Sequence, residues 1–570
     1  MKKRFIAFLL VLTLSLSLFC GCGINETVLT ESEEMQESFE SEETQEPSEK
    51  TNIRETNFFN HDIKRADVAF SEMNLDEPYD RTDFDEAIDR LYELADCGGS
   101  EEDFRVLDDF LLSELSFLND REAVSMHKFY LHPSDESYQE AYQDATELYE
   151  LLNDRYKKAI ASMAQSEYCD LLLVNYSEKE IAKFAKTDAK DDSRLQFLLA
   201  EQTLVEEYNT LISEDLPDYD RIGELYVELV TLRREYTESK GYDNPADYYY
   251  TSDYSRLYTP KDAQNVHEAV KEYLVPIYRK YVDYNEDIDS TVIPQEIENV
   301  EEKVFSAMEY VLPQISSELM EAYEYMQKYG LVDFAASEDR VDTGYVYPLV
   351  YFNEPVLYNA GYSSYLDYTY MFHEMGHYAN AFYQENALQD SWDLDFAEVQ
   401  SQGLELLATK FYPEIFGENI AKQLEFYLVY KMLNTILSGC LFDEFQQIVY
   451  TESDLTPERC CEIYMELLAE YGLETETSWE VEWMDVPHNF EDPFYYLSYA
   501  VSAIGAMDIY ALLKQDEEAA MDTYLTICSM NLSEHGFLEA MEKVGFSDPF
   551  GDSFFKDFSK QIDKALADLS

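Results

Sequence analysis

The sequence predicts a mainly helical protein in two lobes with one small β element, and three observations carry that prediction. A chain of 570 residues exceeds what one hydrophobic core usually serves, so at least two lobes are expected. Between Phe58 and Val230 the only glycines are Gly98, Gly99 and Gly223 and the only prolines Pro78, Pro133 and Pro217, while apolar residues recur at the three- and four-residue spacing of amphipathic helices. The texture changes only from Tyr345 to Tyr358, where Val, Leu, Tyr and Phe crowd around Pro348 and Pro355 and read as a strand.

Met1-Lys2-Lys3-Arg4 followed by the apolar run Phe5 to Leu18 has the layout of a secretory leader. The run ends in Phe19-Cys20-Gly21-Cys22-Gly23, which resembles a bacterial lipobox. Residues 1–21 are therefore expected to be a lipoprotein signal peptide, and Cys22 the residue whose lipid anchors the protein to the cell membrane on its outer side. Residues 22–57, rich in Glu, Ser and Thr, read as an acidic disordered tether.

The formal net charge is −77, with acidic residues spread through the chain. Phosphate would be repelled, so nucleic acid is not an expected partner, whereas cationic peptides would be attracted. The cysteines have neither metal nor disulfide spacing and are given no role.

Residues 58–330 are expected to form a helical N-terminal lobe. Good examples are Ser137 to Gln165 and Pro260 to Val282, the second opened by Thr259 as a cap and Pro260 in its first turn. Residues 331–570 form the second lobe, and the chain is expected to be a monomer.

The chemistry concentrates in His373-Glu374-Met375-Gly376-His377, in a chain with only eight histidines. On a helix, residues four apart share a face, so His373 and His377 present two imidazoles to one ion while Glu374 points aside. That arrangement suits one Zn2+ ion, with Glu374 free to take a proton from water. Ser363 and Ser364 offer helix caps, and Asp367 follows in the first turn. A third ligand is required. On spacing alone Glu385, Asp393, Asp395, Glu398 and Glu405 all qualify.

Asp395-Phe396-Ala397-Glu398-Val399-Gln400-Ser401-Gln402-Gly403-Leu404-Glu405 resembles a segment of the thimet oligopeptidase and oligoendopeptidase F family of zinc peptidases, and the resemblance implies Glu398 as third ligand. The interval from His377 is a few residues shorter than the family's. Val486-Pro487-His488-Asn489-Phe490-Glu491-Asp492-Pro493-Phe494-Tyr495-Tyr496-Leu497-Ser498-Tyr499 resembles a stretch near the end of the same relatives, although Leu497 stands where a Tyr is common. There Asp492 is expected to cap a helix with Pro493 in its first turn, which sets Tyr496 and Tyr499 on one face. His488 and either tyrosine then stand as donors to a developing oxyanion, Tyr499 ahead of Tyr496.

The resemblance implies a two-lobed helical metallopeptidase with zinc at the floor of a deep channel, cutting short unfolded oligopeptides internally with Glu374 as general base. Ser401, Gln402 and Glu405 are candidates to support the ligands. Two other readings stay open: a dipeptidyl carboxypeptidase-like zinc enzyme, or a lipoprotein that captures peptides without turnover.

Overall fold

Long helices follow from a chain with few breakers, and several of their ends have an identifiable cause. In this computed structural model residues 53–570 are described, apart from 74, 76–77, 134, 187–192, 213–215, 337–339, 342, 386–392, 476–477, 532–535 and 552. The signal peptide, Cys22 and most of the tether lie outside the described residues.

Helices α1 (Thr82–Cys97), α2 (Glu101–Leu131) and α3 (Glu136–Ala164) open the fold. A capping box between Ser100 and Asp103 starts α2. These helices enclose a small core of their own around Phe84, Leu91, Leu111 and Leu152. A second, continuous core runs from Phe59 to Leu566 and crosses the expected boundary at residues 330 and 331. That boundary therefore does not separate two cores. The physical reason is that α6 (Val300–Ile315) and α7 (Ser317–Tyr329), on the way to the β element, bury their apolar faces against the histidine-bearing helix rather than against α1–α3.

Two local expectations are corrected. The single helix over Pro260 to Val282 is two, α4 (Pro260–Tyr273) and α5 (Val275–Thr291), because Pro276 has no N–H to continue the ladder. Part of the stretch expected as tether is docked. The Arg54 N–H donates to Pro313 O at 2.8 Å, and Thr56 Oγ1 donates to Glu318 Oε2 at 2.8 Å.

The β element is a three-stranded sheet of β1 (Val332–Ala336), β2 (Gly344–Leu349) and β3 (Glu354–Gly361), in the order β1-β3-β2. The stretch expected as one strand is thus a hairpin, with Gly344 opposite Asn359 and Pro348 opposite Pro355. Asp120 on α2 supports its turn, accepting the N–H groups of Val350 at 2.6 Å and Phe352 at 3.1 Å. β1 joins β3 in parallel.

The histidine helix α8 (Leu366–Phe382) follows directly. Its start is held by the Asp367 carboxylate, which accepts the N–H groups of Tyr362 at 2.8 Å and Ser364 at 2.9 Å. Of the expected caps only Ser364 acts, taking Leu366 N–H at 3.2 Å, while Ser363 occupies the left-handed region at φ 56°. At the other end the Arg65 guanidinium donates to the carbonyls of Ala381, Phe382 and Gln384, filling acceptors that a helix terminus leaves open.

Next come α9 (Leu394–Ala408), α10 (Glu418–Val449) and α11 (Tyr496–Leu513). Helix α11 has a mean hydropathy of 1.4, apolar enough to cross a membrane by composition, yet its segment is 78% buried, as a core helix packed on α9 and α10.

Candidate active site

Gly376 explains how the histidine helix comes to share a site with α9. A Cβ there would lie 2.4 Å from Gln400 O and 2.8 Å from Ser401 Cα, so only glycine lets the two backbones approach this closely. The approach delivers Glu398 to the histidines. Glu398 Oε2 lies 3.4 Å from His373 Nε2 and 3.5 Å from His377 Nε2, and one ligand atom from each residue falls within 4.8 Å of the others.

The other third-ligand candidates are engaged elsewhere or face solvent. Asp393 caps α9 through Phe396 N–H at 3.0 Å, Asp395 accepts from Tyr258, and Glu385 is exposed. Glu405 accepts from His373 Nδ1 at 2.6 Å with Lys431 3.6 Å from its second oxygen, which fixes the ring with Nε2 toward Glu398. Ser401 Oγ donates to Glu398 Oε2 at 2.9 Å.

These residues fit a metal ion. His377 Nε2 and Glu398 Oε1 are buried with no hydrogen-bond partner among the described residues, an arrangement that costs free energy unless something occupies it. Two imidazoles and a carboxylate are a donor set suited to zinc. Burial works against charge on His373, but Glu398 and Glu405 outweigh it and push its pKa up to about 10. Burial likewise opposes ionisation of Glu398, and the two histidines override it, holding that carboxyl well below its usual range.

Glu374 is only 3% exposed, and its Oε2 lacks a hydrogen-bond partner among the described residues. Burial pushes it up to about 8 against the opposing pull of His373. Gly344 on β2 leaves room for it: a Cβ there would stand 2.7 Å from Glu374 Oε1. The edge strand and the carboxylate are therefore neighbours.

His488 sits on a short helix, Pro487–Glu491, whose C-cap is Asp492. The expectation that Asp492 and Pro493 begin the tyrosine helix is corrected, because Phe494 takes φ 68° and interrupts the chain before α11. Asp492 instead lies 3.2 Å from His488 Nδ1, while His488 Nε2 lies 3.3 Å from the Tyr499 hydroxyl. Tyr496 packs its ring on Phe442, with ring centroids 5.5 Å from both His488 and Tyr499. Sequence reasoning missed Tyr495. Its ring stands 4.8 Å from His488 and 4.9 Å from Tyr499. Burial and then the charge of Glu398 hold its phenol well above the ordinary value, and burial, then Tyr495 and Glu398, do the same to Tyr499. Spacing to Tyr499 does not separate Tyr495 from Tyr496, since three and four residues both share a helix face, and it is the packing on His488 that brings Tyr495 into the site.

His61, His127 and His267 are engaged away from this site, with Glu318 at 3.1 Å, Tyr345 at 2.9 Å and Asp443 at 2.9 Å. The described cysteines are all free.

Glu374 is buried beside the ligand atoms yet contributes none of them, a carboxylate that holding an ion would not require. Residues 315–558 match the model of Peptidase family M3. An oligoendopeptidase F homolog of Borreliella burgdorferi is 24% identical over 164 residues, a match that spans 27% of this chain and 28% of that relative. Among solved structures, PZ peptidase A with an inhibitor shares the fold at a TM-score of 0.73 and 18% identity, over 88% of this chain and 99% of that one. A protein assigned as an oligoendopeptidase F from Bacillus anthracis str. Ames does so at 0.71 and 17%, over 88% and 98%.

Proposed function

We propose that the protein is a zinc-dependent metalloendopeptidase that hydrolyses internal bonds of short unfolded peptides. The convergence of His373, His377 and Glu398 beside Glu374, whose Oε2 has no hydrogen-bond partner among the described residues, carries the reading. Zinc held by His373, His377 and Glu398 supplies, when bound, a Lewis acid that polarises a carbonyl and acidifies water.

This chain's own residues account for the rest. Glu374 takes a proton from the attacking water as the new C–O bond forms and delivers it to the nitrogen as the C–N bond breaks. Tyr499, next to His488, donates to the oxyanion, a contribution of about 3 kcal/mol for one such donor. Asp492 orients His488. An extended substrate lies along the edge strand β2, where Gly344 brings its backbone beside Glu374. A site this enclosed, with His373 also 3% exposed, would exclude a folded protein. The lipid on Cys22 would hold the enzyme, as a monomer, outside the cell membrane.

Zinc content and cleavage of a mixed peptide library test this, on protein beginning after Cys22 beside Glu374→Gln. The expected result is internal cuts that chelator removes and that fall about 100- to 10,000-fold in the variant, with zinc retained. Release of carboxy-terminal units would instead favour the carboxypeptidase reading, and full zinc with no cleavage a capture protein.

A further inference from the structure

Phe494 interrupts the chain at φ 68°, which leaves Tyr495 at the entry to α11 and Tyr499 in its first turn. Among the groups that hold this junction is a buried cation from a distant part of the sequence. A π-helical turn, Tyr249–Asp253, and Ser255 at φ 51° deliver Arg256 into the core, where its side chain is fully buried.

The guanidinium divides its donors between two elements. Nη2 donates to Phe494 O at 3.0 Å and to Ser498 Oγ at 2.9 Å, the residues immediately before Tyr495 and Tyr499. Nε faces Asp395 Oδ1 at 3.4 Å, on the helix that carries Glu398 three residues later. Tyr258 donates to the second Asp395 oxygen at 2.5 Å. Rings of Tyr250 and Tyr254 lie 4.5 and 4.6 Å from the cation, and Tyr254 donates to Pro493 O at 2.9 Å. Ser502 Oγ adds a direct clasp from α11 to Asp395 O at 2.6 Å.

We propose that Arg256 is a positioning residue for the reaction: it fixes the phenol of Tyr499 relative to the carboxylate of Glu398 by holding both their elements on one planar fork. The proposal rests on the hydrolase reading above. A lysine keeps the charge toward Asp395 but, as a single ammonium on a different stem, cannot set one nitrogen on Asp395 and a second on Phe494 O and Ser498 Oγ as the planar guanidinium does. Arg256 touches no reacting atom, so it acts through Tyr499. Displacing an oxyanion donor by about 1 Å costs rate rather than ground-state binding.

The test uses zinc-loaded Arg256→Lys and Ser498→Ala, each alone and combined with Tyr499→Phe, with kcat, KM and zinc content read on one peptide. Arg256→Lys should lower kcat about 10- to 100-fold with KM changed less than about 2-fold and zinc full. Ser498→Ala, which removes one anchor without touching the charge, should lower kcat about 3- to 10-fold and keeps the test alive if the lysine variant fails to fold. Both losses should largely vanish in the Tyr499→Phe background, as non-additivity requires of residues acting through one another. Additive losses, normal kcat in folded variants, or a loss that follows zinc release each overturn the proposal. An inert wild type with full zinc overturns the hydrolase reading and the proposal with it. An active wild type beside a normal Arg256→Lys overturns the proposal alone.

Discussion

Gly376→Ala probes the close approach on which the site depends. The new Cβ would stand 2.4 Å from Gln400 O and 2.8 Å from Ser401 Cα. Ordinary contact distances begin near about 3.5 Å, so α9 must retreat by about 1 Å, and backbone atoms cannot swing aside as a side-chain tip can. Overpacking of this kind costs about 1–3 kcal/mol of stability. The larger consequence falls on the metal. Ser401 hydrogen-bonds the Glu398 carboxylate at 2.9 Å, so the retreat carries the third ligand away from two histidines that stay with α8. Metal sites tolerate ligand displacements of about 0.2 Å. Zinc affinity should therefore fall by at least about 10-fold, measured by competition against a graded chelator, and the melting temperature of the metal-free protein should drop as well. A Gly376→Ala protein with wild-type zinc affinity and melting temperature would refute the reasoning, since α9 would then have room that the geometry denies it.

Glu405→Gln should weaken zinc binding about 10- to 100-fold while leaving the three ligands in place, because His373 loses the carboxylate 2.6 Å from its Nδ1; unchanged affinity in the chelator competition would remove Glu405 from that role. Without metal, stability should fall as pH rises. His373, raised from 6.5 to about 10, contributes stability that is complete below 6.5 and lost through about 10, and Glu374, raised from 4.5 to about 8, loses its contribution over that lower window. Glu491, pushed up to about 8 by burial, adds the same sign. Thermal melts of chelated protein from pH 5 to 9 should decline, less steeply in Glu374→Gln and less steeply again with zinc present; a flat or rising profile would contradict the assignment.

The sequence by itself determined the helical character, because breakers are scarce and apolar spacing follows the helix period. It also determined the pairing of His373 with His377, because a four-residue spacing fixes two side chains on one face whatever surrounds them. Motif resemblance reached Glu398 and His488, which lie on separate elements. Local spacing was silent where neighbours arrive from elsewhere in the chain. It could not choose among Glu385, Asp393, Asp395, Glu398 and Glu405, since each has a spacing compatible with the metal.

Only the tertiary structure decided those questions. Gly376 lets α9 close on α8 and brings Glu398 beside the two histidines. Arg256 takes up Asp395, and His373 takes up Glu405. The break at Phe494, which turns Tyr495 toward His488, is held by hydrogen bonds from Arg256 and from Gln446, whose side chain accepts Phe494 N–H at 2.5 Å. The physical reason is the same in each case: periodicity reports which residues share a face, while the roles of buried polar groups are assigned by whichever partners the packed core brings within hydrogen-bond distance.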